Sequence, residues 1–92
     1  MPIYIVSYDL VKNRDYKALY GALKSYQTYA FALESVCLID TEQTIDEVQN
    51  FILRHVDQDD KVLIAQLAGT VAWQKLEPEI ADWLHETFGP AG

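Results

Sequence analysis

Polar and apolar positions along this chain change period several times, and each change marks an element. Ile3-Tyr4-Ile5-Val6-Ser7-Tyr8 is a near-continuous run of β-branched and aromatic residues leading into Asp9 and Leu10. Such a run reads as a central strand buried on both faces. A polar connection follows, in which Asn13 or Asp15 can cap a helix. Tyr16, Leu19, Tyr20 and Leu23 then recur at i, i+3, i+4 and i+7, predicting an amphipathic helix to about Tyr26. Gly21 lowers its propensity but can permit close packing. The pattern turns to β over Thr28–Leu33 and again over Ser35–Asp40, with a break near Leu33 to Ser35. Thr44-Ile45-Asp46-Glu47 fits a capping box, and Ile45, Val48, Phe51, Ile52 and His55 line one side of the helix it opens. Asp57 to Asp60 forms a turn, Lys61–Leu67 a strand, and Thr70 to Trp73 a short extra strand. Pro78 opens a last helix carrying Ile80, Trp83, Leu84 and Phe88. Gly89-Pro90-Ala91-Gly92 reads as a disordered tail.

The order is βαββαβ with a C-terminal strand/helix extension. It predicts an α+β, ferredoxin-like domain over residues 1–88, an antiparallel sheet with helices on one face. Alternation places Ile3, Ile5, Ser7 and Asp9 on one side of the first strand and Tyr4, Val6, Tyr8 and Leu10 on the other. Both sides are largely apolar, so the second face needs a cover. A homodimer is the simplest one, with Ile3, Ile5 and Ser7 at the interface and Trp73 and Trp83 anchoring the C-terminal segment onto the body or onto the partner.

Ninety-two residues, half of them hydrophobic, suffice for one core without disulfide or zinc support. No apolar run approaches the roughly 20 residues of a membrane span, and a lone Cys37 in apolar context reads as a buried thiol of a cytoplasmic protein. Net charge is −7, which argues against a general nucleic-acid binder. The balance is uneven. Residues 1–33 carry a surplus of bases through Lys12, Arg14, Lys17 and Lys24, and residues 34–92 carry twelve acids against three bases.

Asp9 has two readings. Its carboxylate either accepts amides of the following loop or works as a metal ligand, and one Asp per chain makes a site only when a second copy supplies another. Asp57, Asp59 and Asp60 fail the calcium-loop pattern, since Val62 stands where glycine is required. His55 and His85 lack companions at zinc spacing, and His55 suits a helix C-terminus. Ser7, Ser25, Ser35 and Cys37 have no nucleophile context. Tyr16 and Tyr20, at helical spacing, read as core or interface before base-stacking residues.

The opening I-Y-I-V-S-Y-D-L, the helix after it, the Ser35-Val36-Cys37-Leu38 strand and the D-Q-D-D-K-V-L-I turn and strand resemble the small CRISPR-associated Cas-two proteins. The Y-D-L start and the Gly69 to Trp73 segment are similar to those of the short bacterial proteins labelled SinR-like. This resemblance, over about residues 2–75, implies a ferredoxin-like homodimer. Asp9, preceded by Tyr8, would lie near the dimer axis, where two copies bind Mg²⁺ or Mn²⁺. It implies either a metal-dependent nuclease, with Lys12, Arg14 and Lys17 on phosphate, or a structural subunit. The family's arginine before the third strand is missing, because that region reads Ala32-Leu33-Glu34-Ser35. The preferred expectation is therefore a homodimeric assembly or interaction module with a possible protein partner, in a CRISPR, defence or toxin-related context. The rival is an endonuclease acting on RNA or DNA.

Overall fold

The computed structural model describes residues 2–10, 16–68 and 71–88. Its elements run β1 (Ile3–Asp9), α1 (Tyr16–Lys24), β2 (Thr28–Leu33), β3 (Val36–Asp40), α2 (Ile45–Leu53), β4 (Lys61–Leu67) and α3 (Pro78–Phe88). The four strands form one sheet in the order β2-β3-β1-β4, and every neighbouring pair is antiparallel. β1 is internal, hydrogen-bonded to β3 on one side and β4 on the other. The apolar run that opens the chain therefore fills the place in the sheet where both faces are covered most easily.

One face carries the main core. Tyr4, Val6 and Tyr8 of β1 meet Leu19, Ala22 and Leu23 of α1, Cys37 and Ile39 of β3, and Val48 and Ile52 of α2. Local chemistry fixes the helix ends. Ser25 closes α1, its amide bonding the Ala22 carbonyl at 3.2 Å and its hydroxyl donating to the same oxygen at 2.6 Å. At α2 the capping box forms as the sequence predicts. The Glu47 amide donates to Thr44 Oγ1 (3.2 Å) and the Thr44 amide to Glu47 Oε1 (2.8 Å), satisfying two otherwise orphaned donors. A register shift between Phe31 and Leu33 bulges β2 just before the Glu34-Ser35 turn.

Two expectations are corrected. The helices do not all lie on one face. Leu84 of α3 is buried and lines a cavity with Ile5, Leu38 and Leu67, which belong to the opposite side of the sheet. The amphipathic stripe of α3 finds the apolar second face of its own chain, and Ile3, Ala30 and Leu38 become buried there. Nor does the extra strand form over its described residues. Val71 to Trp73 is irregular backbone, and Trp73 packs its ring on His85 instead (centroids 4.9 Å apart). The extension is thus a helix without a strand. The loop positions Asn13 and Asp15 and the tail 89–92 lie outside the described residues.

Gly21 does not serve close packing, since a Cβ built there meets nothing within 4 Å. Gly21→Ala should raise stability by about 0.5–1 kcal/mol through helix propensity and reduced unfolded-state entropy. Ile39→Ala, at a site with no solvent exposure, should cost about 2–5 kcal/mol. Urea unfolding midpoints check both, and a destabilised Gly21→Ala would contradict this placement of α1.

Candidate functional site

Strand β1 ends at the face opposite the main core. Asp9 is exposed there, in register with Lys61 at the start of β4. Ser7 precedes it on the same face, half-buried between Val36 of β3 and Leu63 of β4. Ile5 follows inward, half-buried between Leu38 and Ala65. Beyond it Ile3 is buried beneath the α3 end of the face. Asp9, Ser7, Ile5 and Ile3 thus form one line from an open, polar rim to a covered, apolar floor.

Tyr8 points the other way. Its ring is buried against Tyr16 and Tyr20, with centroids 6.2 and 6.1 Å away, and Tyr20 continues to Phe31 at 5.1 Å. Among the described residues its hydroxyl has no aligned hydrogen-bond partner. Burial, with a smaller push from the neighbouring Tyr20, holds the phenol well above its ordinary range. The structure therefore does not bring Tyr8 and Asp9 together. Tyr8 is placed as a core aromatic, and it belongs to a cluster that the helical spacing of Tyr16 and Tyr20 already indicated.

Of the phosphate-binding candidates, Lys12 and Arg14 lie outside the described residues and Lys17 is exposed on α1. Among the described residues, no three His, Cys, Asp or Glu side chains gather in a way that could hold a metal ion. Asp9 could serve as a ligand only jointly with other groups, such as those of a second copy. The acidic turn is occupied by its own hydrogen bonds, with the Asp57 amide donating to Asp60 Oδ2 (2.8 Å) and the Asp60 amide to the Asp57 carbonyl (3.1 Å). His55 Nδ1 lies 2.9 Å from the Phe51 carbonyl, at the C-terminal end of α2. That is the structural position its spacing predicted.

The two tryptophans sit on the cover of the second face. Trp83 is half-buried and shares a cleft with Ile3, Thr28 and Asp40, while Trp73 borders the apolar cavity beneath the segment leading into α3. Sequence reasoning did not foresee that cavity. It measures about 310 Å³ and is lined by Ile5, Leu38, Leu67, Trp73, Leu76 and Leu84 among others. Nor did it foresee the buried Oδ1 of Asp40, which has no hydrogen-bond partner among the described residues. An aspartate ending an otherwise apolar strand, as in Leu38-Ile39-Asp40, was the available signal.

No family model, no curated protein and no solved structure matches the chain. The fold and the site define a small α+β protein, with a four-stranded antiparallel sheet covered by two helices on one face and partly covered by a third on the other. None of its described helices is long and apolar enough to cross a membrane.

Cys37 is fully buried, and burial pushes its thiol from an ordinary 9.0 up to about 12. Tyr26, whose hydroxyl donates to Gln43 Oε1 at 3.1 Å, is likewise pushed by burial from 10.0 to about 12. In both, the unfolded chain loses its proton first as pH rises, so the favourable difference is complete below the unfolded pKa and is lost above it. Stability should be flat up to about pH 9 and fall from there towards pH 12. Cys37→Ala should delay the onset to about pH 10. Urea midpoints across this range check the sign, and a stability that rises with alkalinity would contradict it. Tyr8→Phe should leave stability unchanged or raise it by up to about 1 kcal/mol, because the buried hydroxyl has Tyr20 beside it but no aligned partner. A loss larger than that would show the hydroxyl to be engaged.

Proposed function

We propose that this chain is a cytoplasmic, homodimeric interaction module of the ferredoxin-like, Cas-two-like kind, associating through the second face of its sheet. The observation that carries this reading is the open half of that face. Leu63 is 66% exposed and Leu33 60%, next to half-buried Ile5, Val36 and Ala65. An exposed apolar patch on a sheet face, interrupted here by Ser7 and rimmed by Asp9 and Lys61, is a mark of an association surface. The strand order β2-β3-β1-β4, with helices in both crossovers, supports the ferredoxin-like grouping. A free, buried Cys37 fits a reducing compartment. The uneven charge and the missing arginine before Ser35 favour a protein partner over nucleic acid.

One feature favours a second reading. Asp9 is exposed on the same face as the apolar patch, so two copies packed face to face bring two carboxylates towards one another. Such a pair would hold Mg²⁺ or Mn²⁺, which would activate water and neutralise a phosphodiester in an endonuclease acting on RNA or DNA. Of the three bases expected on phosphate, Lys17 is the one among the described residues.

Sedimentation over a range of concentrations separates these possibilities. The native chain should dimerise, and Leu63→Glu should weaken the dimer at least about tenfold by placing a charge in the patch. A monomer at every concentration, or a dimer indifferent to Leu63→Glu, would contradict the proposal. Asp9→Ala should leave association intact. If Mn²⁺-dependent cleavage of RNA or DNA is found and vanishes in Asp9→Ala while the dimer survives, the nuclease reading prevails.

A further inference from the structure

Two apolar layers of unequal quality hold this molecule together. Among the described residues the main core gathers twelve buried side chains from β1, α1, β3, α2 and their flanks. The layer beneath α3 adds four, namely Ile3, Ala30, Leu38 and Leu84, and only Leu84 comes from α3 itself. None of these four belongs to the main cluster. Helix α3 packs chiefly against β2, an edge strand.

The seam under the cover is poorly filled. The apolar cavity of about 310 Å³ between the segment leading into α3 and the sheet is an open groove, so the cover meets the sheet along only part of its length. At the far end, Trp83, Glu86 and Thr87 face Ile3, Thr28 and Asp40 across a second cleft. There Asp40 Oδ1 is buried without a hydrogen-bond partner among the described residues, and a second carboxylate, that of Glu86, shares the cleft. Burial without a bond favours separation of the two layers.

The approach to α3 is also strained. Lys75 has φ 58°, the left-handed region that a side chain with a Cβ resists, and it stands three residues before the helix begins. Opening at this position would relax it.

We propose that α3 is a hinged cover that opens about Lys75 as a unit separate from the main core. Its opening regulates how much of the second sheet face is offered to another copy of the chain. The regulatory half rests on the homodimer reading above, whereas the hinge stands on packing within one chain. Closed, α3 hides Ile3, Ala30 and Leu38. Open, these residues join Ile5, Val36 and Leu63 in a larger apolar sheet face, broken by Ser7 and ending at Asp40.

Native-state hydrogen exchange on the full chain tests the hinge. Amides of α3 should exchange at least about a hundredfold faster than those of β1 and β3, with weak dependence on denaturant. Leu84→Ala should speed α3 exchange about tenfold or more and leave β1 and β3 unchanged. Lys75→Gly should slow α3 exchange several-fold by removing the strain of the closed form. If α3 and β1 instead exchange together, with the same denaturant dependence and the same response to Leu84→Ala, the hinge is overturned. Sedimentation of the same variants tests the regulation. Leu84→Ala should associate more strongly than the native chain and Lys75→Gly less strongly. Independent opening of α3 with unchanged association overturns the regulatory half alone, and absence of any dimer in all three proteins defeats the homodimer reading while leaving the hinge standing.

Discussion

The structure depends on a strand that is apolar on both sides. β1 places Tyr4, Val6 and Tyr8 towards one face and Ile3 and Ile5 towards the other, and it sits between β3 and β4 with both backbone edges paired. Full burial of one large apolar side chain contributes about 1.5–3 kcal/mol, so a strand of this kind is stable only where both faces are dry. The two crossover helices supply one dry face completely, with Val6, Leu19, Leu23, Ile39, Val48 and Ile52 wholly removed from solvent. The second face is the unresolved demand from which the rest of the molecule follows.

Helix α3 meets that demand in part. It covers Ile3, Ala30 and Leu38, leaves Leu33 and Val36 lining the open groove at its margin, and leaves Leu63 exposed. The chain thus carries within itself the cover that its opening strand requires, but one of limited extent and imperfect fit. An exposed apolar margin and a cover of limited extent are two expressions of the same shortfall. The acidic surplus of residues 34–92 keeps such a surface soluble by charge repulsion between copies, which makes any association through the patch a balance of opposing terms.

Much of this was legible in the sequence, and the parts that were not have physical reasons. The central place of β1 followed from its unbroken apolar run, and the start of α2 followed from Thr44 and Glu47, because capping chemistry is local. The α1 stripe and the core role of Tyr16 and Tyr20 followed from helical spacing. The position of α3 was not legible. Its apolar stripe of Ile80, Trp83, Leu84 and Phe88 suits a partner's surface as well as its own sheet, and periodicity alone does not tell an intramolecular cover from an intermolecular one. Val71 to Trp73 has strand-like composition, yet the strand does not form there, since composition does not reveal whether a sheet edge is in reach. Asp9 was singled out as a charge ending a buried strand, and the structure gives it an exposed rim in register with Lys61. Tyr8, one residue earlier, faces the opposite side for the simple reason that a strand alternates.

The most direct test of this account is a dilution series on methyl-labelled protein followed by NMR. The account predicts that the Leu33, Val36 and Leu63 methyl resonances shift together with concentration. Those of Leu19 and Val48, buried in the main core, should stay fixed. Shifts confined to Leu53 and Ile45 of α2, or none at any concentration, would contradict it.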